Sequence, residues 1–263
     1  VTKIDDYVFA MRPVEQIFIP TSVTEIGNYA FSNCQRLYQV TFAEDSKLYK
    51  IGDFAFETTV ITEIRLPDGV REIGSQAFYN CYYLNTVILP EGLTEIPDYM
   101  VYACGNLKNI NLPSTLKTIG AYALASSGLE TLEFPAGLET IGAYALNGVQ
   151  IPSFTAPAGL VTIETGAIPA HLFEGSGVTE LTLGEGVSEI GESAFANTAL
   201  TAVDLKNAAT IGANAFANTA LTSAELTNAT AIGEGAFEGT ALQTVTLNAA
   251  ASVGERVFAN TKL

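Results

Sequence analysis

Twelve times along this chain an aliphatic residue is followed five positions later by a large apolar one, most often across Ile-Gly-x-x-Ala-Phe. The starts are Ile4, Ile26, Ile51, Ile73, Ile96, Ile119, Ile141, Ile168, Ile190, Ile211, Ile232 and Val253. A repeat with a period in the low twenties predicts a solenoid, each repeat forming one coil that stacks on its neighbours. About twelve coils at ~4.8 Å per step predict an elongated rod or gentle arc of roughly 55–60 Å.

Residues 84–106 show what one coil contains. Leu84, Val87 and Leu89 turn to one face of a short extended segment, and Pro90, which has no N–H to give a ladder, ends it. The same strand recurs as Leu107/Ile110/Leu112, Leu129/Leu132/Phe134, Leu200/Val203/Leu205 and Leu242/Val245/Leu247. Every copy enters its coil in the same direction, so stacking makes a parallel sheet. A second extended piece follows, such as Val70-x-x-Ile73 or Leu116-x-x-Ile119, and the glycine after Ile permits a sharp turn. Pairs such as Ala77 and Phe78, or Ala194 and Phe195, are then predicted on a short helical turn packed against the sheet. The predicted class is α/β, a leucine-rich-repeat solenoid with a parallel β-sheet and short helical turns.

The repeat runs from end to end, so residues 1–263 read as a single solenoid in two styles. Residues 1–146 hold longer, Tyr- and Pro-rich coils; residues 178–263 repeat every 21 residues and are rich in Ala, Asn and Thr. Between them, 147–177 is an irregular junction, where Ile163 opens a normal turn that Glu164–Ala167 delays until Ile168-Pro169. A bulged loop or a change of curvature is expected there. The first repeat begins at Ile4 and the last stops mid-coil at Leu263, so both ends are expected to be cut from a longer chain. Hydrophobic residues make up 48 %, yet no apolar run approaches the ~18 residues a membrane span needs.

Charge narrows the partners. The formal net charge is −16. Residues 1–117 carry 14 acidic and 9 basic side chains, and residues 118–263 carry 14 and 3. Such a field repels phosphate backbones and argues against nucleic acid; its plainest role is to keep an apolar-cored array soluble.

Three cysteines exclude a fully paired framework. Cys34, Cys81 and Cys104 lie eight residues after their Ile, in the column that holds Thr59, Thr198, Thr219 and Thr240 elsewhere. Buried free thiols are the expectation. Cys81 and Cys104 are in neighbouring coils and a bridge between them stays open, although side chains in a ladder run parallel to one another.

The signature Leu-x-x-Val-x-Leu-Pro, then x-x-Leu-x-x-Ile-Gly-x-x-Ala-Phe-x-x-Cys, resembles the BspA-like (Treponema-type) leucine-rich repeats of bacterial surface proteins. Residues 84–104 carry it, as do Ile61, Ile64, Leu66, Pro67, Val70, Ile73, Gly74, Ala77, Phe78 and Cys81. The longer turn Phe42-Ala-Glu-Asp-Ser-Lys-Leu48 is similar to a recurrent variant in that family. The resemblance implies a secreted or cell-surface protein of a host-associated bacterium, some relatives adhering to host matrix proteins or other cells. It carries over no catalytic residue. The last four coils depart from it: they lack the strand-ending proline, and Ala208, Ala229 and Ala250 stand where the second strand has Leu or Val, which predicts a thinner core.

Two outward columns are candidates for binding. On the strand face, Phe18, Arg65, Ile88 and Asn111 precede the last inward residue of their strands. Exposed apolar side chains near an arginine suit a protein interface, although single ones are also ordinary surface. Three residues after each Ile stand Tyr7, Tyr29, Phe54, Gln76, Tyr99, Tyr122, Tyr144 and His171. Rings stacked to cover the core explain this column most simply; stacking on sugar rings is the alternative. Catalysis is not expected. The sole histidine, His171, sits in that column, and no glycine-rich phosphate loop, Cys-x-x-Cys or EF-hand pattern appears. Glu44-Asp45 is thin support for a calcium ion, and no cofactor or metal is expected. Three functions remain: a surface-displayed module adhering to a host-matrix or cell-surface protein, a spacer stalk presenting another domain, and a glycan-binding module.

Overall fold

The computed structural model describes residues 1–155, 167–183, 187–249 and 251–263. The chain is a parallel β-solenoid of leucine-rich-repeat type with about eleven turns, and it divides into two compact units, Val1–Leu138 and Glu139–Leu263. Ile163 and the segment Glu164–Gly166, where the junction was expected to bulge, lie outside the described residues, as does Ala250.

The first unit runs β1 (Lys3–Ile4), β2 (Gln16–Ile19), β3 (Glu25–Ile26), β4 (Gln39–Phe42), β5 (Lys50–Ile51) and β6 (Glu63–Arg65). It continues with β7 (Glu72–Ile73), β8 (Thr86–Ile88), β9 (Glu95–Ile96), β10 (Asn109–Ile110) and β11 (Thr118–Ile119). Each coil contributes one strand to each of two faces. The face built on the repeated Ile pairs β1, β3, β5 and β7 in parallel, Ile4 beside Ile26, Ile51 and Ile73. It resumes with β9 and β11. The interruption falls where Pro97 follows Ile96. In this column the glycine N–H donates to the Ile carbonyl of the coil before, as Gly52 does to Ile26 at 2.8 Å, and proline has no N–H to give. The opposite face, built on the Leu-x-x-Val-x-Leu strands, pairs β2 with β4 and β6 with β8 and β10.

The second unit contains β12 (Thr140–Ile141), β13 (Ser153–Thr155), β14 (Ala167–Ile168), β15 (Glu180–Thr182) and β16 (Glu189–Ile190). After these come β17 (Thr210–Ile211), β18 (Ser223–Leu226), β19 (Ala231–Ile232), β20 (Thr244–Leu247) and β21 (Ser252–Val253). Its Ile face is one five-stranded ladder, β14-β16-β17-β19-β21; its other face has the pairs β13–β15 and β18–β20. Ala208 and Ala229 fill the second-strand position there and are buried.

The expected helical turn is not helical. No α-helix occurs among the described residues, so the parallel-sheet solenoid stands and the α/β class does not. Spacing of Gly-x-x-Ala-Phe suits one turn of helix, but a helix uses every N–H within its own chain. Here alternate amides leave the coil. In the second coil, Ala30, Ser32 and Cys34 donate to Gly27, Tyr29 and Phe31, closing overlapping four-residue turns. The amides between them, Tyr29, Phe31 and Asn33, donate at 2.8 Å to Asp53, Ala55 and Glu57 of the next coil. Such a chain of turns needs left-handed backbone at every fourth residue, and Tyr29 and Asn33 both have φ of 56°. The same two positions are left-handed in coil after coil, from Tyr7 and Met11 to Arg256 and Asn260. The third face of the solenoid is therefore a ladder of turns.

Between the faces lies a layered core. Phe31, Phe56 and Phe78 stack with centroids 5.2 and 5.5 Å apart, and Phe173, Phe195, Phe216 and Phe237 do the same in the second unit at 5.3–5.4 Å. All seven rings are fully buried. Beside them runs the small-residue column. Thr59, Thr198, Thr219 and Thr240 each donate their hydroxyl to the phenylalanine carbonyl three residues back. The thiols of Cys34, Cys81 and Cys104 reach the carbonyls of Phe9, Phe56 and Phe78 in the preceding coil. All three are free, Cys81 and Cys104 included. Burial pushes the Cys81 thiol up to about 11 and raises Cys34 and Cys104 as well, so they behave as small apolar fillers.

Candidate functional site

On the strand face, alternate residues point outward by the period of an extended chain. Ile19 and Val40 are buried while Phe18, between the inward residues of β2, is 60 % exposed. Phe18 lies in register with Thr41 of β4. Two residues back along β2, Gln16 donates its amide to the Tyr38 hydroxyl. Arg65 of β6 is exposed and lies in register with the half-buried Ile88 of β8. Arg65 has no ion pair or hydrogen bond from its guanidinium among the described residues.

Asn111 is spoken for. Its side-chain oxygen accepts from the Leu89 N–H at 2.7 Å, and its amide donates to the Leu89 carbonyl at 2.8 Å. It continues the ladder beyond β10 with a side chain in place of a strand. The structure thus brings Arg65 and Ile88 together, sets Phe18 on the separate β2–β4 pair, and gives Asn111 a structural role.

The ring column stands on the turn face. Tyr7–Tyr29, Tyr29–Phe54 and Tyr99–Tyr122 stack at 4.6–4.7 Å with planes within 8°, and in the second unit Tyr144 stacks on His171 at 4.4 Å. Each of these residues has positive φ, 55–60°, which is uncommon for a bulky side chain. Stacking along the column offsets that cost. Loss of hydration within the stack, and then the neighbouring tyrosines, raise the Tyr29 and Tyr99 hydroxyls above the usual phenol value. Within each stack the rings cover one another's faces, with Gln76 separating Phe54 from Tyr99 and with Tyr7 59 % exposed. His171 holds Glu174 through Nδ1 at 2.8 Å, a packing pair within the same turn.

Sequence reasoning missed the cavity of about 800 Å³ between β4 and β6. Its floor includes the buried Val40 and Leu66; Tyr38, Thr41, Glu63, Arg65 and Asp68 stand around it. The available signal was the distance from Ile26 to Ile51, longer than its neighbours because of the Phe42–Leu48 turn. A second aromatic feature, the exposed edge-on pair Tyr82–Tyr83 at 5.5 Å, lies where the turns run into the strand face.

Among the described residues no group of three His, Cys, Asp or Glu side chains is placed to hold a metal ion, and no helix is long and apolar enough to cross a membrane. Comparison with curated protein sequences finds no match. Three solved structures share the architecture. A leucine-rich repeat protein from Bacteroides ovatus is 22 % identical with a TM-score of 0.60, covering 99 % of this chain and 80 % of its own. A leucine-rich cell surface protein from Faecalibacterium prausnitzii is 27 % identical with a TM-score of 0.60, covering 91 % and 74 %. A leucine-rich repeat protein from Eubacterium ventriosum is 18 % identical with a TM-score of 0.54, covering 100 % and 81 %. The model of the BspA type leucine-rich repeat region (6 copies) matches residues 2–127, 49–168 and 166–263. With its Ile ladder, turn ladder and Leu strands accounted for coil by coil, the chain belongs to the BspA-type leucine-rich repeat family.

Proposed function

We propose that this chain is a non-catalytic binding module displayed at a bacterial cell surface, meeting a protein partner through its strand face. The observation that carries the reading is the exposed Phe18 on a regular strand surface, followed along the coils by an unpaired Arg65 beside Ile88. Aromatic and arginine side chains dominate the energetics of protein interfaces. The likeness to the Faecalibacterium prausnitzii cell surface protein supports the surface location. The partner this implies is a host-matrix or cell-surface protein. The covered faces of the tyrosine column count against a glycan bound there.

The test is capture of purified extracellular-matrix proteins by the wild type and by the Phe18→Ala/Arg65→Ala/Ile88→Ala variant. Removing interface anchors of this kind is expected to weaken binding by about 100-fold, while circular dichroism stays that of the folded chain. A folded variant that keeps its partner at full affinity rejects this face.

A further inference from the structure

The strand face is interrupted at its centre. β4 and β6 follow one another in the coil order, yet they share no ladder. The break is confined to this face. Behind it β3, β5 and β7 pair without interruption, and the Phe31 N–H still meets the Ala55 carbonyl at 2.8 Å on the turn face. At the steps on either side, the residue after the first inward position donates to its equivalent in the coil before: Tyr38 to Glu15, Asn85 to Thr62 and Lys108 to Asn85, at 2.8–3.0 Å. Thr62 makes no such bond to Tyr38. The chain enters one residue out of step, with the Val60 N–H on the Leu37 carbonyl at 3.2 Å. The shift is local: two residues separate Cys34 from Leu37, but only Val60 separates Thr59 from Ile61.

Two properties of this break point to an occupant. The first is backbone. Facing strand edges hold C=O groups with no strand partner, and these are open to a hydrogen-bond donor. Cα atoms of β4 and β6 come within 8 Å of each other. A further strand between them needs two spacings of about 4.8 Å, so the gap excludes a strand and admits a side chain. A cavity of about 800 Å³ falls in the range of ligand sites.

The second property is charge. Some charges of this unit pair across coils, as in Lys3–Glu25, Arg36–Glu15 and Lys50–Glu72. Around the cavity, Glu44, Glu63, Arg65 and Asp68 have side chains with no ion pair and no hydrogen bond among the described residues. Three carboxylates against one guanidinium leave the mouth acidic.

We propose that the break between β4 and β6 receives an arginine side chain from an extended loop of the partner protein. Guanidinium carries donors only, five of them in a planar fork, and so matches strand-edge carbonyls and carboxylates together. Glu63 and Asp68 supply the charge, and Val40 and Leu66 form an apolar floor for the aliphatic stem. Partner residues either side of that arginine then lie across Phe18 and Ile88. This deepens the reading of the strand face and rests on it.

The probe is acetyl-Gly-Val-Arg-Val-Gly-amide titrated into the full ¹⁵N-labelled chain. The same peptide with citrulline, a neutral isostere of arginine, is the comparison. The arginine peptide is expected to move the amides of Gln39–Ala43 and Glu63–Leu66, and the citrulline peptide to bind about tenfold more weakly. A Glu63→Gln/Asp68→Asn variant is expected to lose about as much for the arginine peptide and nothing for the citrulline one. Both side chains are exposed, so its remaining spectrum should overlay the wild type. Equal binding of the two peptides, shifts spread over the whole acidic surface, or indifference to the double variant each overturns the proposal. Capture of a matrix protein by the Phe18/Arg65/Ile88 variant is a separate readout. Loss of capture there with no peptide binding here leaves the face in place and removes the arginine site.

Discussion

Phe56→Ala is expected to destabilise the first unit by about 3–5 kcal/mol. The ring is fully buried and sits between Phe31 at 5.2 Å and Phe78 at 5.5 Å, so its loss opens a cavity bordered by two aromatic faces. In a packed stack the neighbours are held by their own coils and cannot close the space. Thermal unfolding of a unit this size should move down by roughly 10 °C or more. Phe54→Ala, two residues away, is the comparison. Its ring is half-buried on the outer column, and it should cost less than half as much. Equal losses for the two would mean that the inner stack does not carry the unit.

Gly52→Ala is expected to be nearly as damaging, at roughly 3 kcal/mol, for a different reason. A Cβ there would meet the Asn28 backbone nitrogen at 2.6 Å and the Gly27 carbonyl carbon at 2.7 Å, backbone that has no rotamer with which to yield. The same residue donates its N–H to Ile26 at 2.8 Å, so the coil cannot back away without giving up a ladder bond. Gly137→Ala in the same unit isolates the effect. Its Cβ would approach only the Lys117 ammonium at 3.6 Å and the Ser114 carbonyl at 4.0 Å, so a change within about 0.5 kcal/mol is expected. Denaturant melts of the two variants decide it; a Gly52→Ala protein as stable as Gly137→Ala would show that coil spacing is not set by this glycine column.

Where the chain was legible, it was so because repetition multiplies a weak local signal. One Leu-x-x-Val-x-Leu could be a strand in many folds; the same spacing in successive coils leaves only parallel stacking. The Ile column and the Cys/Thr column stand where the spacing put them, Ile26 beside Ile51 and the Cys81 thiol beside the Thr59 hydroxyl at 3.3 Å. The turn face was misread because Ala-Phe at four and five residues after Ile fits a helix as well as a chain of turns. A better signal was present in Asn33, Asn80, Asn197 and Asn218, with Gly148, Gly175 and Gly239 in the same column. Asn and Gly recurring at one position ask for left-handed backbone, and all of them have it. In the other left-handed column the tyrosines hid the same request behind an aromatic stripe.

The candidate site was legible only in part. Alternation placed Phe18 and Arg65 outward, but it says nothing of side chains that turn back on the backbone, as Asn111 does on Leu89. It is equally silent on whether consecutive strands pair. The break between β4 and β6 goes with a shift of one residue at Val60, where Thr59 and Ile61 stand one residue closer than Cys34 and Leu37 do. Spacing from Ile to Ile does not record a residue lost between the turn face and the strand.

Native-state hydrogen exchange at four equivalent amides tests the interrupted face most directly. Tyr38, Asn85 and Lys108 each donate to the coil before and should stay protected, whereas Thr62, which donates to none, should exchange about a hundredfold faster or more. Protection of Thr62 equal to that of the other three would mean that β4 and β6 pair after all. There would then be no opening at the centre of the strand face.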